Sequence, residues 1–141
     1  ASALQALSRK LGIEDHVRLE GYVNSEEVPL YFVSSDVFVM PNREVRGDVE
    51  GFGISFLEAG FYRKPVIGGR SGGATDAVLD GRTGFLVNPI DVEELAGKAR
   101  LLLKDRALAQ KFGEAGRERV VQELNYPMIV EGLERFIRSR L

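Results

Sequence analysis

Short apolar runs alternate along this chain with segments whose apolar residues recur at helical spacing. Ala1–Leu11 sets Leu4, Leu7 and Leu11 on one stripe, which predicts an amphipathic helix stopped at Gly12. Val17–Glu20 reads as a short strand ending at Gly21. Asn24-Ser25-Glu26-Glu27 is a capping-type start for a second helix, in which Pro29 is tolerable only near the first turn. The run Val37-Phe38-Val39-Met40 within Asp36–Met40, stopped by Pro41, suits a strand buried on both faces.

The alternation continues to the end of the sequence. Ile54–Tyr62 reads as a short apolar helix, and Pro65-Val66-Ile67 as a strand ended by Gly68-Gly69. Ala74–Leu79 reads as a brief helix and Gly84-Phe85-Leu86-Val87 as a fourth strand. Asp91-Val92-Glu93-Glu94 is a second capping box, opening a helix with Val92, Leu95, Ala99 and Leu102 on one face. Helices over about Arg106–Leu124 and Pro127–Leu141 follow, the last carrying Ile129, Val130, Leu133, Phe136 and Ile137 at helical spacing. Strands alternating with helices, without hairpin turn signals, predict an α/β fold: a Rossmann-like parallel sheet of about four strands with flanking helices.

Composition narrows the function classes. The 141 residues suit one domain, and 19 Lys+Arg against 21 Asp+Glu leave a net charge of −2, which argues against a nucleic-acid partner. No stretch approaches the roughly 20 apolar residues of a transmembrane segment, and the amphipathic start is unlike a secretory signal. With no Cys and one His, His16, neither thiolate chemistry nor a His-rich metal site is expected.

In open α/β sheets, ligands sit outside the carboxyl ends of the strands. The loop after Met40 is the longest and most polar there, and it runs into Gly51-Phe52-Gly53 and a helix. Glycines at that junction let backbone N–H groups approach a ligand, and a helix N-terminus at Gly53-Ile54-Ser55 favours an anion such as phosphate. Glu50 precedes the helix, and Glu58 lies about one and a half turns inside it. Carboxylates at both positions suit a polyhydroxylated ligand, whose hydroxyls donate hydrogen bonds.

These residues also form a recognisable pattern. Glu50-Gly51-Phe52-Gly53-Ile54-Ser55-Phe56-Leu57-Glu58 resembles the E-x7-E motif of retaining, nucleotide-sugar-dependent glycosyltransferases of the two-domain GT-B fold, the large family numbered four. Pro65 to Val78, with Gly68-Gly69, Gly72-Gly73 and Asp76, is similar to the strand, glycine pair and acidic residue that follow that motif. Asp80–Val87 resembles the family's turn and last strand, and Asp36–Pro41 the strand before the motif. The order and spacing hold over essentially the whole chain. Within the family, Asp48–Gly53 and Gly69–Ala74 most resemble mannosyltransferases acting on phosphatidylinositol mannosides.

The resemblance implies roles. Glu50 would be the catalytic-site residue, touching the ring hydroxyls of the transferred hexose. The backbone of Gly51, Phe52 and Gly53 would lie against that sugar, and the N–H groups at Gly53, Ile54 and Ser55 would meet the pyrophosphate. Glu58 would bind the ribose, with the base near Gly21-Tyr22-Val23. The donor would be GDP-mannose or a UDP-hexose, with neither cofactor nor metal required. Residues 1–141 would form part of a C-terminal donor-binding domain. The partner acceptor-binding domain and the strand carrying a basic pair for the diphosphate would be missing.

By analogy with the doubly wound strand order, the gap would fall between Val17–Glu20 and Val37–Met40. Exposed edges of that kind invite pairing. The chain is therefore expected to be inactive alone, and either to pair those strands directly, to self-associate, or to depend on the missing segment. The full enzyme would be cytoplasmic and peripheral at the membrane.

Simpler readings stand beside these. A non-catalytic nucleotide-sugar or phosphate-binding module is the alternative; a receiver-like signalling domain fits poorly, because Gly68-Gly69-Arg70 stands where its phosphoacceptor Asp belongs. Gly72-Gly73 either shapes a tight turn or touches ligand. Tyr22 is expected to be a half-buried loop residue, and Arg43, Arg46 and Asp48 a solvated loop. Asp76 is accounted for as a helix N-terminal acid, and Arg117 and Arg119 as part of a solvated helix face.

Overall fold

The computed structural model describes residues 2–45, 47 and 51–140. Its elements run in chain order as α1 (Ala3–Lys10), a 3-10 turn (Glu14–His16), α2 (Val28–Ser34), β1 (Phe38–Met40) and α3 (Ile54–Phe61). They continue as β2 (Val66–Gly69), α4 (Ala74–Ala77), β3 (Gly84–Val87), α5 (Val92–Lys104), α6 (Arg106–Gln122) and α7 (Tyr126–Arg138). The strands form one parallel sheet in the order β1-β2-β3, with Phe38 opposite Val66 and Val66 opposite Gly84. This is the expected α/β class with helices on the sheet.

Strand alternation divides the core in two. Val66 and Leu86 point to one face, where they pack with Phe32 of α2, Phe56 and Ala59 of α3, and Ala74 and Ala77 of α4. Ile67 and Val87 point to the other, against Leu102 of α5 and Phe112 of α6. Burial on both faces explains why β2 and β3 read as continuous apolar runs.

Two strand expectations change. Val17–Glu20 forms no strand: the backbone after the 3-10 turn is extended, but no described residue pairs with it, so the sheet has three strands rather than four. Direct closure onto β1 does not occur either. β1 is an edge strand, and Val39 remains 41% exposed because α5 and α6 cover β2 and β3 instead. The β1 run is therefore only partly buried: Phe38 and Met40 pack on the first cluster and Val37 on the second, while Val39 stays open. β2, by contrast, extends through both Gly68 and Gly69.

Helix boundaries follow local chemistry. Ser2 caps α1 in a full capping box with Gln5. The second helix begins later than the Asn24–Glu27 signal, which forms a turn in which Val28 N–H donates to Asn24 O at 3.2 Å, while Pro29 sits in the first turn of α2. Asp91 caps α5 through Glu94 N–H, but the Glu94 carboxylate turns to Asn88 N–H at 2.8 Å rather than closing the box. Val92 is 73% exposed, so the buried face of α5 starts at Leu95. The α7 stripe is also largely uncovered, with Leu133 and Phe136 at 57% and 55% exposure.

α3 and α6 cross at glycines. A Cβ on Gly60 would lie 3.3 Å from the Gly116 carbonyl, and one on Gly113 would lie 2.0 Å from Arg63 O. The second contact is possible because Arg63, at φ 57°, ends α3 in a left-handed cap, with Lys64 N–H returning to Ala59 O at 2.9 Å. Arg117 then donates to Phe61 O at 2.6 Å, and Arg119 to Asp76 O at 2.6 Å and to Ala77 O. These arginines are tertiary caps on α3 and α4, not a solvated face: the Arg119 side chain is only 13% exposed.

Gly113→Ala should cost about 1–3 kcal/mol in a urea unfolding experiment, because the added methyl meets backbone that has no room to yield. Gly97→Ala on α5, where an added Cβ meets nothing, should instead stabilise by about 0.5–1 kcal/mol. Equal effects at the two sites would contradict the crossing geometry.

Candidate functional site

Parallel pairing brings the carboxyl ends of β1 and β2 to one side of the sheet, so the loops that leave them are neighbours. The first enters α3 through Gly53, a buried residue at φ 78°, ψ 55° that starts the helix without a side-chain cap. A left-handed start of this kind is a conformation that glycine adopts without steric cost. It turns the first helical residues toward the carboxyl edge, with Ile54 exposed and Ser55 half-buried.

Glu58 follows Ile54 by one helical repeat and lies on the same exposed face of α3. It lines a cavity of about 210 Å³ together with Ser25, Val28, Phe61 and Tyr62. Phe32 supports that cavity, its ring stacked on Tyr62 at 5.6 Å and 8°. Val23 is half-buried and lines an adjoining apolar hollow of about 360 Å³ with Val28, Phe32 and Val39. Val23 and Glu58 thus flank the start of α2, since Val28 and Phe32 belong to both hollows. Tyr22 is 90% exposed rather than half-buried, because no element covers the turn at Gly21.

The glycine loop after β2 packs directly on the entrance to α3. A Cβ on Gly73 would lie 2.1 Å from Gly51 O and 2.5 Å from the Phe52 Cα. That close approach accounts for a glycine at 73, and Gly72 at φ 53° makes the turn itself. Gly51 is exposed, and Phe52 is 38% exposed over this contact.

Beyond the loop, Arg70 Nη2 donates to Leu86 O at 2.7 Å and pairs with Asp80 Oδ2 at 3.2 Å. Asp80 Oδ1 accepts from Leu86 N–H at 3.0 Å, so this pair joins β2, the Asp80-Gly81 turn and β3.

Of the expected site residues, Gly51, Phe52, Gly53, Ile54 and Ser55 come together at one helix start, with Glu58 on the same helix and Val23 across the adjoining hollow. Glu50, the expected catalytic residue, lies outside the described residues, as do Arg46 and Asp48. Asp76 sits within α4, where its carbonyl, not its carboxylate, has the partner described above.

Two polar residues escape sequence reasoning. Asn42 looks like ordinary loop polarity after Pro41, yet its side chain bonds Gly69 and Ser71. Arg119 lies among alternating charges that read as solvated. Among the described residues, no three His, Asp or Glu side chains converge as a metal site would require. Nor is any described helix long and apolar enough to cross a membrane.

The fold and the site together are those of a parallel α/β domain with a glycine-framed helix start at its carboxyl edge and a carboxylate one turn inside that helix. The model of the family glycosyl transferases group 1 matches residues 1–119, and the chain belongs to that family.

A GDP-mannose-dependent alpha-(1-6)-phosphatidylinositol monomannoside mannosyltransferase of Mycobacterium tuberculosis is 41% identical over 139 residues, covering 96% of this chain and 36% of that protein. Its namesake in Mycolicibacterium smegmatis is 44% identical over 117 residues, covering 81% and 30%. The chain thus spans about a third of the length of these curated relatives.

Among solved structures, sucrose-phosphate synthase from Thermosynechococcus elongatus superposes with a TM-score of 0.82 at 30% identity, over 96% of this chain and 33% of that one. The C-terminal domain of a group 1 glycosyl transferase (LpcC) from Francisella tularensis gives 0.77 at 25% identity, over 87% and 61%. The fold is that of the C-terminal domains of GT-B glycosyltransferases.

Gly73→Ala should shift the amide resonances of Gly51 and Phe52 in a two-dimensional NMR spectrum and lower stability by about 1–3 kcal/mol. Unmoved resonances at both residues would contradict the contact.

Proposed function

We propose that this chain is the donor-binding part of a hexosyltransferase that takes GDP-mannose and transfers mannose, with retention of anomeric configuration, to a lipid-linked or glycan acceptor. The observation that carries the reading is the start of α3. Gly53, Ile54 and Ser55 open the helix at the carboxyl edge of the sheet, and Glu58 lies on its exposed face beside the Ser25–Tyr62 hollow. The diphosphate takes the helix N-terminus, where N–H groups and the dipole favour an anion. Glu58 accepts hydrogen bonds from the ribose hydroxyls, and the base lies toward Val23. Gly51 and Phe52 flank the sugar, and Glu50 contacts it at the reacting centre. GDP-mannose is preferred over a UDP-hexose because the two mycobacterial relatives are named for it.

Transfer requires an acceptor site as well, and this chain spans about a third of such relatives. In our reading residues 1–141 recognise the donor without turning it over, and catalysis needs an acceptor-binding domain as partner. A phosphatidylinositol-type acceptor would bring the whole enzyme to the cytoplasmic face of a membrane as a peripheral protein. The uncovered β1 edge and α7 stripe favour self-association of the chain when it is alone.

Calorimetric titration of the chain should give saturable binding of GDP-mannose, tighter than that of UDP-glucose. Glu58→Ala should weaken it roughly ten- to a hundredfold, since a hydrogen bond to a charged group contributes about 1.5–3 kcal/mol. In the chain joined to an acceptor-binding domain, Glu50→Ala should cut turnover strongly and leave nucleotide affinity nearly intact. Donor binding untouched by Glu58→Ala would sink this assignment.

A further inference from the structure

The β1–β2 ladder ends at the Met40–Gly68 pair, because Pro41 carries no N–H and the chain turns away. Asn42 N–H closes that turn on Met40 O at 2.8 Å. The side chain of Asn42 then replaces the missing ladder. Its Oδ1 accepts from Gly69 N–H at 3.2 Å, and its Nδ2 donates to Ser71 O at 3.3 Å. Ser71 Oγ accepts in return from Glu44 N–H at 3.1 Å. The fit is close, since a Cβ on Gly69 would lie 2.0 Å from Asn42 O.

We infer that Asn42, together with Ser71, is a positioning residue for the sugar half of the donor site. The clamp fixes the first residues of the glycine loop at 69–71. Gly73, at the far end of that loop, packs on the backbone of Gly51 and Phe52. The position of that backbone is therefore set from Asn42 through four or five residues of loop. The nucleotide half is lined by other residues: Glu58 borders its hollow with Val28 and Phe32 of α2 and with Phe61 and Tyr62, none of which the clamp touches. The inference rests on the donor reading above, in which Gly51 and Phe52 flank the sugar and α3 with Glu58 holds the nucleotide.

The test compares GDP with GDP-mannose on the wild-type chain and on Asn42→Ala, Asn42→Asp and Ser71→Ala. Asn42→Ala should speed hydrogen exchange at the Gly69 amide and weaken GDP-mannose about five- to tenfold, the size of one neutral hydrogen bond, with GDP affinity nearly unchanged. Asn42→Asp keeps an acceptor for Gly69 N–H and should restore slow exchange there and much of the difference between the ligands. Ser71→Ala, which removes only the Glu44 contact, should show the same selective loss on a smaller scale. Equal weakening of GDP and GDP-mannose, or unchanged binding of both, would overturn the positioning role while leaving the donor reading intact. Failure of the wild-type chain to bind either ligand would overturn the donor reading and the inference with it.

Discussion

Everything at the carboxyl edge depends on where α3 sits, and α3 is held by the absence of side chains on both sides of it. Toward the sheet, the Phe56 ring lies over Gly68, where an added Cβ would come within 3.0 Å of the ring. Toward the outer layer, Gly60 meets Gly116 backbone to backbone, and the left-handed Arg63 that ends the helix packs its carbonyl on Gly113. Close-packed interiors transmit small displacements rather than absorb them. A helix wedged in this way presents its first turn at a defined height above the strands.

Arginines complete the same framework by a different route. The carboxyl ends of α3 and α4 carry carbonyls that their own helices cannot satisfy. Arg117 and Arg119 reach across from α6 to supply the donors. One helix thereby fixes the far ends of two others, whose near ends lie at the glycine loop and the candidate donor site. Charge that would be worth little in solvent is used here as hydrogen-bonding geometry.

Much of this was legible in the residues. Apolar runs at Val66–Ile67 and Gly84–Val87 announced strands, and Gly51-Phe52-Gly53 before an apolar run announced a helix start, but the burial on both faces expected of Val37–Met40 belongs to β2 and β3 instead. Val17–Glu20 failed for a physical reason: alternating apolar character makes a segment able to pair, but only a neighbour makes it a strand. Helical spacing placed α5 and α7 correctly, but it identifies an apolar stripe without saying that anything covers it, as the exposure of Val92 and Leu133 shows. Asn42 and Arg119 were illegible because their partners are main-chain groups, and every residue type offers those alike. What can be read from a sequence is which side chains want burial; which carbonyl or amide a polar group will find depends on the assembled fold.

The uncovered apolar surface has a thermodynamic corollary. Leu4, Leu7 and Leu11 of α1 and the α7 stripe are already in contact with water in the folded chain, at exposures such as 61% for Leu4 and 57% for Leu133. The heat-capacity increment of unfolding comes from apolar area newly wetted, and globular domains release about 12–15 cal/mol/K per residue. Surface that is wet in both states contributes nothing to it. The folded chain therefore has a flatter dependence of stability on temperature than its length implies, with a broad, shallow maximum instead of a sharply curved dome.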